Sequence, residues 1–252
     1  MTGPVPIICL AHGSRHPQAD QAVFDIAARI SASTGVPAFA TFLDFHPATL
    51  ATVAHRIVAA GYTEAVVVPL LFTRAFHARH DVPAAIAEAA GSIDATSSTG
   101  LTLHLADGLG TGADMEALVA DFTAQYLADT AGSASNIDKL ALYSVGSSQP
   151  GANEGIAEFA SRVGSRLKMR HTRAFVATGN HPGSDTDALL NFADDHTVTV
   201  PLFVSPGLLW DRAKNRMPHG RKCTRHLGDA IAPVVVDRAF SALQRHSSPT
   251  TF

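Results

Sequence analysis

The chain has 252 residues, 46% of them hydrophobic and 16% charged, with a mean hydropathy of +0.12, enough apolar material for one large core or two smaller ones and too much for a disordered chain. A formal net charge of -3 and a pI near 6.5 lack the basic excess of a nucleic-acid binder, and two cysteines, Cys9 and Cys223, with no CxxC spacing, exclude a disulfide scaffold and fit a reducing compartment. The short apolar run at 5–11 has no Lys or Arg before it and charged residues soon after, so neither a signal peptide nor a membrane partner is read there, and the chain is expected to be cytoplasmic.

Residues 6–11 (PIICLA) read as a buried strand, and the next segment, 19–30, places Ala22, Val23, Ile26, Ala27 and Ile30 on one helical face. Runs at 38–43 and 65–71 (AVVVPLL) are strand-like, with a helical period over 50–60 between them and Gly61 as its stop. A helix over 82–90, a strand over 101–106 and a helix over 115–127 complete four βα units. This alternation predicts an α/β fold with mostly parallel sheets, whose ligand sites lie beyond the carboxyl ends of the strands. The stretch 131–138 (AGSASNID) reads as a linker or exposed loop.

Beyond it the pattern starts again. LAHGSRHPQADQ at 10–21 lines up without gaps on YSVGSSQPGANE at 143–154, an offset of 133 residues that keeps glycine, serine, proline and alanine in register. VVVPLLF at 66–72 lines up on VTVPLFV at 198–204, an offset of 132, and HLADGLG at 104–110 on HLGDAIA at 226–232, an offset of 122. Three matches in one order predict an internal duplication. The halves are then 1–130 and a degenerate copy over 131–252, with a ligand cleft expected between them. His12 falls opposite Val145, Arg15 opposite Ser148 and His77 opposite Leu209, which assigns a single active site to the amino-terminal half.

Thirteen histidines stand against nineteen Lys and Arg, and imidazole is both the proton carrier of the neutral range and a common metal ligand. His12 follows the first strand in AHGSR, where Gly13 permits a tight turn into a helix whose N-terminus suits an anion. An arginine immediately before His-Gly would be the histidine-phosphatase pattern, but Ala11 stands there. Asp44 ends the second strand in FLDFHP, and RAFHARHDVP at 74–83 follows the third, bringing His77 and His80, with Asp81 read as a helix cap and Pro83 as an early helical residue. His12, Asp44 and His77 therefore come from the ends of three strands, and two imidazoles with a carboxylate suit a divalent first-row metal with open positions. His80 is a possible secondary ligand or a solvated helix end. His46 lies beside the site or in solvent, and the histidines at 55, 171, 196 and 226 receive no role.

The strand leading into HGSR, the VVVPLLF strand, FLDF at 42–45 and HxxxDVP at 77–83 together resemble the sirohydrochlorin chelatases, the class II chelatases of siroheme and cobalamin synthesis, in their long, fused two-half form. The resemblance implies a chelatase-like fold and a lyase-type enzyme that inserts a divalent metal into sirohydrochlorin without ATP. Fe2+ or Co2+ is then a substrate rather than a permanently bound cofactor. It makes His12 and His77 the catalytic metal-site histidines and Asp44 the acidic residue beside them. Ser14, Arg15 and Arg74, with Arg79 as a further candidate, are expected to bind the substrate's carboxylates, and Phe76 to shape the face on which the macrocycle lies or to narrow the cleft. Internal duplication replaces the homodimer of the short form, so the chain is expected to be a monomer. Two other readings stay open from sequence: a non-catalytic metal or tetrapyrrole carrier, and a chelatase for another tetrapyrrole. No HExxH or GxSxG supports a hydrolase, and no Walker-type loop appears.

Overall fold

The computed structural model describes residues 4–73, 80–94, 100–130, 136–147, 149, 151–179, 181 and 183–247. The chain forms two compact units, residues 1–110 with 231–252, and residues 111–230.

In the first unit, β1 (Ile7–Ala11), β2 (Ala38–Phe42), β3 (Glu64–Pro69) and β4 (Thr102–Leu105) form one parallel sheet in the order β2-β1-β3-β4. β1 is buried along its whole length, which is why it reads as a continuous apolar run rather than an alternation. Ile8, Leu10 and Val67 pack with Leu50, Val53 and Ile57 of α2 (Leu50–Ala59) and with Val82, Ala89 and Ile93 of α3 (Val82–Asp94). The alternate strand residues Ile7, Cys9, Val66 and Val68 point to the other face. There α1 (Ala19–Thr34) lies, burying the stripe from Ala19 to Ile30 that its sequence spacing predicts. Thr49 caps α2 by accepting the Thr52 N–H, and Gly35 ends α1 in the left-handed conformation.

The second unit repeats the design. β5 (Lys139–Ser144), β6 (His171–Val176), β7 (Thr197–Pro201) and β8 (Lys222–Cys223) form a parallel sheet in the order β6-β5-β7-β8. Tyr143 and Phe175 pack with Leu189 of α6 (Thr186–Phe192) and with Trp210 and Ala213 of α7 (Leu208–Arg216). α5 (Ala152–Arg166) packs on β5 and β6, with α4 (Ala113–Asp129) beside it. No helix among the described residues is long and apolar enough to cross a membrane.

The strand registers match the first two sequence alignments. Leu10 pairs with Pro69 and Tyr143 with Pro201, and Leu70 N–H donates to Leu10 O (2.8 Å) as Leu202 N–H does to Tyr143 O (2.7 Å). The third alignment is overturned. Val66 pairs with His104 and Val198 with Lys222, so β4 and β8 correspond at an offset of 118 rather than 122. β8 is only two residues long, and the His-Leu pair at 226–227 that imitates β4 lies in the loop beyond it.

The expected division at residue 130 also needs correction. α4, which follows β4 in the chain, belongs to the second unit, where Arg162 of α5 binds Glu116 (3.1 Å) and the Thr111 carbonyl (2.7 Å). α8 (Ala232–Ser247), which follows β8, belongs to the first unit and packs on β1, β3, β4 and α1. The duplicated units have thus exchanged their last helices. Of the expected linker at 131–138, residues 131–135 lie outside the described residues and 136–138 form no helix or strand.

Cys9 is fully buried in β1, and burial pushes its thiol up to about 12; burial also raises the Cys223 thiol, but that side chain is partly accessible. Because the thiolate is the reactive form, Cys9 is expected to stay silent toward a disulfide reagent at pH 8 while Cys223 reacts, and both to report after denaturation. Rapid native labelling of Cys9 in a Cys223→Ser variant would contradict this packing.

Candidate active site

His12 stands immediately beyond β1 and Asp44 two residues beyond β2. Leu43 N–H donates to Ala11 O and Asp44 N–H to His12 O, each at 2.9 Å, so the parallel pairing continues past the strands and sets the two residues side by side. Gly13 makes this approach possible. Its φ is +94°, and a Cβ there would lie 2.0 Å from the Asp44 carbonyl oxygen, so no side chain fits without moving backbone.

Phe45 adopts φ +62° and its N–H donates to the Asp44 carboxylate at 2.8 Å. A bulky residue in the left-handed region is uncommon and concentrates at functional positions. Its ring is 45% exposed, with the Arg15 guanidinium 5.0 Å from the ring centroid and the His12 imidazole 6.4 Å away. An imidazole, a carboxylate, an aromatic face and a guanidinium thus share one rim of the sheet. Phe45 appeared in the sequence only as the end of FLDF; no periodicity distinguishes an exposed phenylalanine from a core one. Ser14 Oγ accepts the His16 N–H at 3.1 Å, which closes the turn toward α1.

His77, Arg74, Phe76 and Arg79 lie outside the described residues. His80 is exposed and Asp81 half-buried, both directly ahead of α3. Among the described residues no three His, Cys, Asp or Glu side chains converge as a metal site; His12 and Asp44 are the members of the expected trio that they contain.

Several other histidines hold structure together. His55 of α2 contacts Ser92 of α3 at 3.2 Å, His104 of β4 contacts Glu64 of β3 at 3.1 Å, and His196 contacts the Asn136 carbonyl at 2.9 Å. His46 packs on Phe42 with ring centroids 4.4 Å apart, and its Nδ1 accepts the Ala48 N–H. Cys223 and His226 have CxxH spacing, yet the Cys223 Sγ lies against the Met217 sulfur at 3.6 Å.

The second unit repeats the backbone of this rim with other side chains. Thr178 N–H donates to Val145 O at 2.9 Å, the same bond as Asp44 to His12, and Gly146 has φ +88° with its missing Cβ 2.9 Å from Thr178 O. The backbone is repeated, while Val145 and Thr178 replace the imidazole and the carboxylate.

Paired sheets of identical strand order, each covered on both faces, define a duplicated α/β protein with polar strand ends in one unit. Residues 6–126 match the family model CbiX. SirB from Bacillus subtilis, solved with Fe3+, is 20% identical, with 98% of each chain covered and a TM-score of 0.73. SirB from Bacillus subtilis subspecies spizizenii, in complex with cobalt, is also 20% identical, covering 96% of this chain and 97% of that one at a TM-score of 0.73. CbiX described as the terminal enzyme of siroheme biosynthesis in denitrifying bacteria is 15% identical, covering 94% and 98% at 0.66. The fold is therefore the chelatase-like fold in its two-half form. No curated protein sequence matches the chain.

Proposed function

We propose that this chain is a cytoplasmic, monomeric sirohydrochlorin metal chelatase that inserts Fe2+ or Co2+ into the macrocycle without ATP, the metal arriving as substrate. The observation that carries the reading is the pairing of His12 with Asp44 in a unit whose sequence matches CbiX, against Val145 and Thr178 on the same backbone in the other unit. The fold shared with SirB solved with Fe3+ or cobalt supports it.

Metal insertion requires a partly desolvated cation beside the ring and two departing pyrrole N–H protons. The His12 Nδ1 lies 3.4 Å from the Gly13 carbonyl; in the tautomer that donates there, Nε2 carries the lone pair for metal or proton. His12 and His77 hold and hand over the metal, and a neutral imidazole accepts the pyrrole proton. Asp44 balances the cation's charge. Arg15, Arg74 and the Ser14 hydroxyl receive substrate carboxylates, while Phe45 and Phe76 face the macrocycle.

An anaerobic absorbance time course of sirohydrochlorin with Fe2+ or Co2+ tests this, comparing wild type with the His12→Ala, His77→Ala double variant. Multiple turnovers above the metal-only background are expected, falling by about 100-fold or more in the variant, the usual scale for loss of a positioned acid–base group. Binding of sirohydrochlorin with no acceleration would make the protein a carrier. Failure to bind it would remove the assignment.

A further inference from the structure

At the carboxyl ends of β3 and β4 the first unit holds a pocket of about 550 Å3, lined among others by Thr73, Asp107, Gly108, Arg238, Ser241 and Arg245. The last three stand at i, i+3 and i+7 of α8, so they share one helical face. The face toward the sheet is apolar, with Val234, Val235, Ala239 and Ala242 buried.

Arg238 is fixed in place. Its Nε donates to Gly108 O at 3.0 Å and its Nη2 to Leu109 O at 2.9 Å. Both acceptors are backbone carbonyls, and the two bonds orient the guanidinium. The loop carrying them is itself tightly seated, because a Cβ on Gly108 would lie 2.9 Å from Leu71 O and 3.3 Å from Pro69 O. Arg245 Nη2 stands 3.4 Å from an Asp107 carboxylate oxygen, and both side chains are about half exposed. Such an exposed pair contributes little to stability and exchanges readily for another carboxylate. Two guanidinium groups against one carboxylate leave the lining net positive.

We propose that this pocket is a carboxylate-binding subsite for the tetrapyrrole, supplied by a helix from the far end of the chain; the proposal deepens the chelatase reading and rests on it. Arg238 is the preset cation. Arg245 is released from Asp107 when the ligand's carboxylate enters, a bidentate exchange suited to the guanidinium fork. Position supports this assignment, since ligands of open parallel sheets bind outside the carboxyl ends of the strands.

Ser241 is exposed on α8 and makes a clean probe, because glutamate and lysine are both good helix formers there. Ser241→Glu is expected to raise the KM for sirohydrochlorin about tenfold, and Ser241→Lys to leave it equal or lower, the difference shrinking with added salt. A steric or folding effect would move both variants alike. Titrating the same proteins with metal-free uroporphyrin by fluorescence reads the subsite without turnover, with affinity ranked lysine, wild type, glutamate. That ranking without metal insertion into sirohydrochlorin would retain the subsite and reject the chelatase reading. Insertion with equal KM and equal uroporphyrin affinity for the two variants would overturn the subsite alone, and equal affinity without insertion would overturn both.

Discussion

Replacing Gly13 by alanine is expected to destabilise the first unit by about 3 kcal/mol or more and to abolish chelation. The left-handed conformation alone costs an L-residue about 1 to 2 kcal/mol, and strain of this kind belongs to the short list of large single-residue effects. The greater part comes from the Cβ placed 2.0 Å from the Asp44 carbonyl oxygen. Relief requires the two strand-end loops to separate, which breaks the bond from Asp44 N–H to His12 O and moves the imidazole away from the carboxylate. Gly146→Ala is the internal control. It meets Val176 Cβ at 2.8 Å and Thr178 O at 2.9 Å with φ +88°, so it also destabilises, but next to Val145 and Thr178 it has no proposed chemistry to disturb. Urea unfolding of both variants, with insertion rates measured where each is still folded, separates the two effects. A Gly13→Ala protein that unfolds at the wild-type urea concentration would mean that the loops do not approach as described.

Much of the fold was legible because each buried strand is an apolar run bounded by turn residues and each helix carries a stripe. α1 spans 19–34 where the spacing marked 19–30, and β1 spans 7–11 where PIICLA marked 6–11. Register between halves was legible wherever a proline and a run of valines fixed it, and failed at β8, where two residues of strand leave almost no pattern. Which sheet accepts a helix was not legible. Apolar spacing shows that Met115, Val119 and Ala120 of α4 want cover, as do Val235, Ala239 and Ala242 of α8, but both sheets offer similar surfaces. At the site, residue type and strand-end position pointed to His12 and Asp44. The place of Phe45 went unread because a positive φ and an exposed ring leave no mark on apolar spacing, and that of Arg238 beside the β4 exit because it comes from the other end of the chain.

Because the units exchange their last helices, the fragment 1–130, which holds His12, Asp44 and His77 but not Arg238 or Arg245, is expected not to fold, although it looks like a complete half in sequence. Without α8 the first unit loses the burial of Ala232, Val234, Val235, Ala239 and Ala242 and uncovers the sheet face of Cys9, Val66 and Val68. Full burial of one valine is worth about 1.5 to 3 kcal/mol, so the two valines alone approach the 5 to 15 kcal/mol typical of whole-domain stability. The Arg238 bonds to Gly108 and Leu109, which fix the β4 exit, go with them. A chain joining 1–110 to 231–252 through a flexible linker keeps every one of these contacts and is expected to unfold cooperatively in urea. Fragment 1–130 still carries α4, so it has one route to rescue, in which Met115, Val119 and Ala120 dock on the face that α8 left. Far-ultraviolet circular dichroism and urea titration of the two proteins distinguish the outcomes. Cooperative unfolding of 1–130 would show that α4 and α8 are interchangeable, and that covalent order rather than packing preference decides which unit each helix joins.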